Sequence, residues 1–181
     1  MTWGVVKMEN VFQYALDFVL QAEGGYCVDT GGETNMGISK RAYPNEDIKG
    51  MTRSRAAEIY RADYWDRAKC SKFPAPIAMI LFDSAVNLGI RQASIALQWA
   101  ISDTLTENHI GVDGMIGPET IAAALALDKC GKTQNLADAF IKQRQDHYTE
   151  LATGKTFKPY LQGWLNRLEN LKKAIKNIPT N

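Results

Sequence analysis

The sequence predicts a mainly α-helical protein that carries at most a short β-hairpin near residues 26–38. Apolar residues recur at helical spacing from Asn10 to Glu23, which is the pattern of a helix with one buried face. A nearly continuous apolar segment from Ile77 to Leu88 indicates a second helix, buried at the centre of the protein. Between these two helices, glycines at positions 24, 25, 31, 32 and 37 permit a tight turn or a small hairpin.

The first helix is predicted to place an acidic side chain at its end. Asn10 and Gln13 form a capping-box pattern that predicts its start, and Gly24-Gly25 predicts its stop after Glu23. The Glu23 carboxyl should therefore lie at the mouth of the glycine-rich loop and not on a solvated helix flank.

Helix signals continue to the C-terminus. Thr52 is a good N-cap, and Pro118 suits the first position of a helix. We expect two regions packed together as one compact unit, residues 1–88 and a helical module over residues 89–181. The predicted helices after the first cover approximately residues 53–67, 77–88, 91–102 and 119–128. A turn at Gly131-Lys132-Thr133 then leads to a long helix that ends near Ala152, and a last amphipathic segment covers residues 159–175.

Composition excludes several classes of protein. The formal net charge of +1 argues against a nucleic-acid partner, because such proteins usually carry a strongly basic surface. The three cysteines are an odd number without paired spacing, so we expect reduced thiols, no metal and no cofactor. The N-terminal residues lack a signal-peptide pattern, and no apolar segment reaches the ~18 residues of a membrane span. We therefore expect a protein made in the cytoplasm that does not insert into a membrane.

The glycine-rich stretch carries the candidate catalytic residues Glu23, Asp29 and Thr34. Hydrolysis of a glycosidic bond uses a carboxylic acid to protonate the leaving oxygen and a second carboxylate near the sugar. Glu23 suits the first role. Asp29 could stabilise the transition state or help to activate water, and Thr34 could orient that water. Both could instead serve the turn itself, as an Asx-turn cap and a hairpin hydroxyl.

Three further residues are candidates for substrate binding. Tyr26 and Trp65 could stack on sugar rings, although a core position is the alternative for Trp65. Asn87 could bind an N-acetyl group, or it could be a buried structural amide. Asp83 is expected to be a structural partner of a neighbouring helix end. A set of basic residues near the C-terminus is expected to form a solvated face: Lys155, Lys158, Arg167, Lys172, Lys173 and Lys176.

Four motifs together carry a family resemblance: EGGY at 23–26, GGETNMGIS at 31–39, IYRADYWD at 59–66 and FDSAVNLG at 82–89. In this order they resemble glycoside hydrolase family 108, the phage- and prophage-type N-acetylmuramidases with a lysozyme-like fold. The second half resembles that family's predicted peptidoglycan-binding module, through ALQWAI at 96–101, VDGMIGPETIAA at 112–123 and the Gly163-Trp164 pair. One departure is the short loop CVDTGG after EGGY, so the second acid must be Asp29 or absent.

The resemblance implies an endolysin that cleaves the β-1,4 bond between N-acetylmuramic acid and N-acetylglucosamine, with Glu23 as the catalytic acid. Its partners would be the glycan strands of peptidoglycan and a holin-type pore for export, and we expect a monomer. It would act on the cell wall after release or after export by a non-Sec route. Two alternatives remain open at this point: a secretion-associated muramidase, and a non-catalytic peptidoglycan-binding protein that kept the fold.

Overall fold

The computed structural model describes residues 7–105, 107 and 109–179. These residues form seven α-helices and one three-stranded antiparallel sheet, so the predicted mainly α class is confirmed and the predicted hairpin has a third strand. The elements in chain order are α1 (Met8–Glu23), β1 (Cys27–Asp29), β2 (Gly32–Asn35), β3 (Ile38–Ser39), α2 (Arg53–Tyr60), α3 (Ala75–Leu88), α4 (Ile90–Thr104), α5 (Pro118–Lys129), α6 (Thr133–Leu151) and α7 (Leu161–Ile175).

Helix α1 begins two residues before the predicted start. Its N-cap is Lys7, whose side chain makes no capping bond, and Gln13 Nε2 donates to Glu9 Oε1 at 3.0 Å. The capping box predicted at Asn10 was therefore wrong. The predicted stop is confirmed, because the helix ends at Glu23 and Gly24 follows with a φ of 74°.

The sheet folds back on itself through two tight turns. In the β2–β3 turn, Met36 and Gly37 both have positive φ, 50° and 74°, as the two-residue turns that match strand twist require. Asn35 is buried at the end of β2 and donates from Nδ2 to the carbonyl oxygen of Ile48 at 3.0 Å. This bond attaches the sheet to the following loop and fixes the turn beside the end of α1.

Helix α3 is the centre of the core. Every residue from Ala75 to Ala85 is buried, and the helix contacts α1, α4, α6 and α7. Thr52 caps α2 as predicted, since its Oγ1 accepts from the backbone N–H of Arg55 at 3.2 Å. The chain does not continue as the single predicted α-helix, because Arg61–Asp66 form a π-helical turn.

The second half is organised around one buried amide. Gln98 on α4 is 1% exposed, and its Nε2 donates to Asp113 Oδ1 and to the carbonyl oxygen of Met115. Its Oε1 accepts from the backbone N–H of Gly114 at 2.9 Å. Lys69, in the first half, donates from Nζ to the carbonyl oxygen of Ile116 at 2.7 Å. The same loop thus contacts both halves. In the described part of the chain, no helix combines the length and the apolar character needed to cross a membrane.

Candidate active site

Glu23 lies at the C-terminal end of α1, where the chain turns into the sheet. Its side chain is 26% exposed, so it is neither buried in the core nor free in solvent. Oε1 accepts a hydrogen bond from Nη1 of Arg167 on α7, at 3.2 Å. The carboxyl is therefore held by a residue that is 144 positions away in the sequence.

Arg167 is shared between Glu23 and a buried acid, Asp83 on α3. Its Nε and Nη2 donate to Asp83 Oδ1 at 3.0 and 2.8 Å. Arg144 on α6 donates from Nη1 to the other oxygen, Asp83 Oδ2, at 2.7 Å, and from Nη2 to the Tyr148 hydroxyl at 3.0 Å. Burial alone would lower the pKa of Arg167, but the carboxylates of Asp83 and Glu23 raise it. Two arginines of the second half thus converge on one carboxylate of the first.

Gly37 and Tyr60 lie beside the side chain of Glu23. A Cβ atom at Gly37 would lie 3.0 Å from Glu23 Cγ and 2.5 Å from the Tyr60 hydroxyl oxygen, so only glycine fits in this position. The Tyr60 hydroxyl donates to the carbonyl oxygen of Met36 at 2.9 Å. Burial, and then the nearby charge of Glu23, raises the pKa of Tyr60. Gly37 therefore lies directly against the acid.

Asp29 and Thr34 lie on the sheet. Asp29 is exposed at the end of β1, and its Oδ1 accepts from the backbone N–H of Gly31 at 2.6 Å, which is an Asx turn. Thr34 is half-buried on β2, opposite Cys27 on β1 and Ser39 on β3. Among the residues that the structure describes, no hydrogen bond joins either side chain to Glu23.

Tyr26 lies beside a carboxylate that sequence reasoning did not select. Its hydroxyl donates to Glu33 Oε1 at 2.9 Å, across the β1–β2 hairpin. This hydrogen bond is the main reason that the pKa of Tyr26 is raised. Tyr26 remains 42% exposed and can offer a ring face to a ligand. Glu33 lies between Gly31-Gly32 and Thr34 in the motif GGETN. That position is the sequence feature that could have identified it as a candidate.

Trp65 cannot be a sugar-stacking residue in this structure. It is 1% exposed and packs edge-to-face against Phe12 and Phe82, with ring centroids 5.3 and 5.5 Å apart. The predicted cleft role is therefore wrong, and Trp65 belongs to the core between α1 and α3. Asn87 is exposed at the end of α3, and its Nδ2 donates to the carbonyl oxygen of Asp83 at 2.7 Å. Among the residues that the structure describes, no hydrogen bond to its amide oxygen is found.

The expectations for Asp83 and Arg167 need correction. Asp83 does not pair with a helix end, because its partners are Arg144, within α6, and Arg167, within α7. Arg167 does not belong to a solvated face, since its side chain is 14% exposed between two carboxylates. No local pattern distinguishes it from the lysines around it. Within residues 7–105, 107 and 109–179, no cluster of His, Cys, Asp and Glu is arranged to hold a metal ion.

The helical fold, with a small sheet beside an acid at a helix end, defines a lysozyme-like protein. Residues 16–89 match the family described as Glycosyl hydrolase 108, and residues 92–169 match the family described as Predicted Peptidoglycan domain. The first half of the chain thus matches glycosyl hydrolase family 108, and the second half matches the peptidoglycan domain. The protein is therefore a glycoside hydrolase that acts on peptidoglycan.

A solved structure supports the same fold. The structure of Brucella abortus SagA is similar to this chain, with a TM-score of 0.75 and 25% sequence identity. The similarity covers 94% of this chain and 96% of that chain, so both halves and their arrangement are included. No protein of curated function matches the sequence.

Proposed function

We propose that the protein is an N-acetylmuramidase, which cleaves the β-1,4 bond between N-acetylmuramic acid and N-acetylglucosamine with Glu23 as general acid. The observation that carries this proposal is the position of Glu23. The carboxyl lies at the end of α1, partly exposed, and Arg167 holds one of its two oxygens. In a family of glycoside hydrolases, an acid held in this way at the edge of a sheet is suited to protonate a leaving oxygen.

The ion pair gives the two carboxyl oxygens of Glu23 different roles. Oε1 accepts the bond from Arg167, and Oε2 lies on the side of Gly37. In the mechanism we propose, Oε2 carries the proton to the glycosidic oxygen. The guanidinium then stabilises the carboxylate that remains, since hydrogen bonds between ionised partners are stronger than neutral ones. Arg167 is a positioning residue in this scheme and does not itself touch the reacting bond.

A second carboxylate would stabilise the positive charge on the sugar or activate water. Asp29 keeps this role in the proposal, with Thr34 as the side chain that orients the water. The Asx turn uses only Oδ1 of Asp29, which leaves Oδ2 for this task. Asp29→Asn tests the role cleanly, because asparagine can keep the Asx turn while it removes the charge. A loss of turnover in Glu33→Gln, with none in Asp29→Asn, would move the role to Glu33.

Digestion of purified sacculi by wild type, Glu23→Gln and Glu58→Gln tests the main assignment. Glu58 is an exposed glutamate on α2 and serves as the matched control. Wild type and Glu58→Gln should release fragments with reducing N-acetylmuramic acid ends, and Glu23→Gln should be slower by at least about a hundredfold. Equal activity in all three proteins would refute Glu23 as the acid. Binding without release by wild type would favour a non-catalytic wall-binding protein.

The biological setting that we propose is that of an endolysin, released to the cell wall through a holin-type pore. The support is the sequence resemblance to phage- and prophage-type muramidases. Expression in bacterial cells should leave the culture intact until a pore-forming protein is co-expressed, and lysis should then require Glu23. Lysis without any pore would favour the alternative of a muramidase that is exported by a secretion system.

A further inference from the structure

An exposed aromatic surface lies at the beginning of α7, the helix that carries Arg167. It consists of Phe157, Tyr160 and Trp164, at the beginning of α7 and in the segment before it, and we call it the aromatic platform. Phe157 is 42% exposed and Tyr160 is 59% exposed. Both rings contact Trp164, with centroids 6.1 Å apart in each case. Large aromatic side chains clustered at a surface are uncommon unless they bind something.

The platform is rigid at its base. Trp164 stacks on Tyr148 of α6 with ring centroids 4.9 Å apart and an angle of 27° between the planes. Tyr148 is 2% exposed, and its hydroxyl accepts the bond from Arg144, which also pairs with Asp83. The Trp164 ring is therefore held by the same ion-pair network that reaches Glu23, which lowers the cost of ordering it when a ligand binds.

The platform is also continuous with the active site. Trp164 and Arg167 are three residues apart on α7, which makes them neighbours on one side of the helix. Arg167 in turn contacts Glu23. A polymer that is cut at Glu23 and follows α7 for one helical turn therefore reaches Trp164.

We propose that the aromatic platform binds the glycan strand of peptidoglycan beside the scissile bond, by stacking sugar rings on Tyr160, Phe157 and the edge of Trp164. This inference rests on the proposed muramidase function and assigns to the second half a subsite of the same cleft. The C–H groups on one face of a pyranose form an apolar surface that packs on an aromatic ring, while its hydroxyls remain at the wet rim. Exposed Lys155 and Lys158 flank the platform and complement the anionic wall polymer.

The experiment separates binding from turnover by using the Glu23→Gln protein as background. Phe157→Ser and Tyr160→Ser are combined in this background, and both side chains are exposed enough that the fold should remain intact. The control is Trp99→Ala, another exposed aromatic residue of the second half, on α4, with 48% exposure. Thermal unfolding of each variant verifies that the folded state is retained.

Binding is measured to sacculi and to glycan strands freed of peptide by an amidase. The double variant should lose about tenfold in affinity for both, equivalent to ~1.4 kcal/mol, while Trp99→Ala should lose none. Unchanged affinity in the double variant would refute the proposal. Loss for sacculi alone would assign the platform to the peptide stems and would also refute it.

A third measurement tests binding to a membrane surface, because exposed aromatic residues and lysines also occur together in proteins that bind membranes. Vesicles of phosphatidylglycerol and phosphatidylethanolamine should not bind, and binding that depends on Phe157 and Tyr160 would overturn the glycan assignment. Failure of the platform proposal can be distinguished from failure of the proposed muramidase function. If Glu23→Gln digests sacculi like wild type, the acid is misassigned, while the affinities still decide the fate of the platform.

Discussion

Nη1 of Arg167 lies 3.2 Å from Oε1 of Glu23, while Nε and Nη2 of the same guanidinium donate to Asp83. One arginine of α7 therefore connects the candidate catalytic acid at the end of α1 to the carboxylate at the centre of the core. The geometry uses the fork of the guanidinium, which can bind two carboxylates at fixed angles. Lysine has the same charge but cannot make this arrangement.

Replacement of Arg167 should lower turnover more than substrate binding. We expect Arg167→Gln to reduce kcat by about a hundredfold, because small displacements of a catalytic group have effects of that size. Arg167→Lys should retain the charge but recover only part of the activity. The measurements are kcat and KM on sacculi, with the pH profile of kcat/KM for each variant.

Lys176→Gln is the control, since Lys176 is an exposed cation that follows the same helix. A purely structural role for Arg167 would lower stability and leave the pH profile of the remaining activity unchanged. That result would contradict the positioning role.

Neutralising Asp83 should destabilise the whole fold. Asp83→Asn leaves Arg144, which is fully buried, without a counter-charge, and breaking such a buried pair costs ~3–5 kcal/mol. Urea unfolding monitored by tryptophan fluorescence measures the loss. Asp66→Asn removes an exposed carboxylate and should change the free energy of unfolding by less than about 0.5 kcal/mol.

The double variant Asp83→Asn with Arg144→Met refines this prediction. It removes the uncompensated charge and should recover part of the lost stability. If Asp83→Asn costs no more than Asp66→Asn, the buried ion pairs do not stabilise the association of the two halves.

The buried phenol of Tyr60 predicts a loss of stability at alkaline pH. Its pKa is raised in the folded protein, first by burial and then by the charge of Glu23. Above about pH 10 the unfolded chain loses this proton while the folded chain keeps it, so stability falls as pH rises. Tyr60→Phe lacks this proton, and its stability should fall less steeply by ~1.4 kcal/mol per pH unit.

The measurement is the urea midpoint of each protein between pH 9 and pH 11. Tyr160→Phe, which removes an exposed hydroxyl, is the control and should follow wild type. Parallel curves for Tyr60→Phe and wild type would disprove a protonated, buried Tyr60.

The sequence predicted the helices well because their signals are local. Thr52 caps α2 and Gly24 ends α1 as expected, and both depend only on neighbouring residues. The start of α1 was predicted too late. Asn10 and Gln13 match a capping-box pattern, but both residues lie inside the helix, which begins at Met8. Trp65 was assigned to the cleft because the sequence does not show whether its side chain faces the core or the solvent. The π-helical turn at Arg61–Asp66 was not anticipated either.

The sequence pointed only to those residues of the candidate site that lie in the first half of the chain. Glu23 was selected from the EGGY motif, and its catalytic role is still a prediction. Arg167 could not be selected, because its contacts cross 84 residues to Asp83 and 144 residues to Glu23. The position of Arg167 in the sequence pattern of α7 would be the same if its side chain faced water instead of two carboxylates. Pairing over such distances is a property of the packed core and has no local signal.

The convergence of Arg144 and Arg167 on Asp83 also limits how this protein can be recombined. A chimera that joins the first half to a foreign wall-binding module after Leu88 would keep Glu23 but would leave Asp83 with no cation. A functional exchange must therefore carry α6 and α7 together with the cationic pair, or it must redesign position 83 at the same time. The two halves share this ion-pair network, although each matches a family of its own.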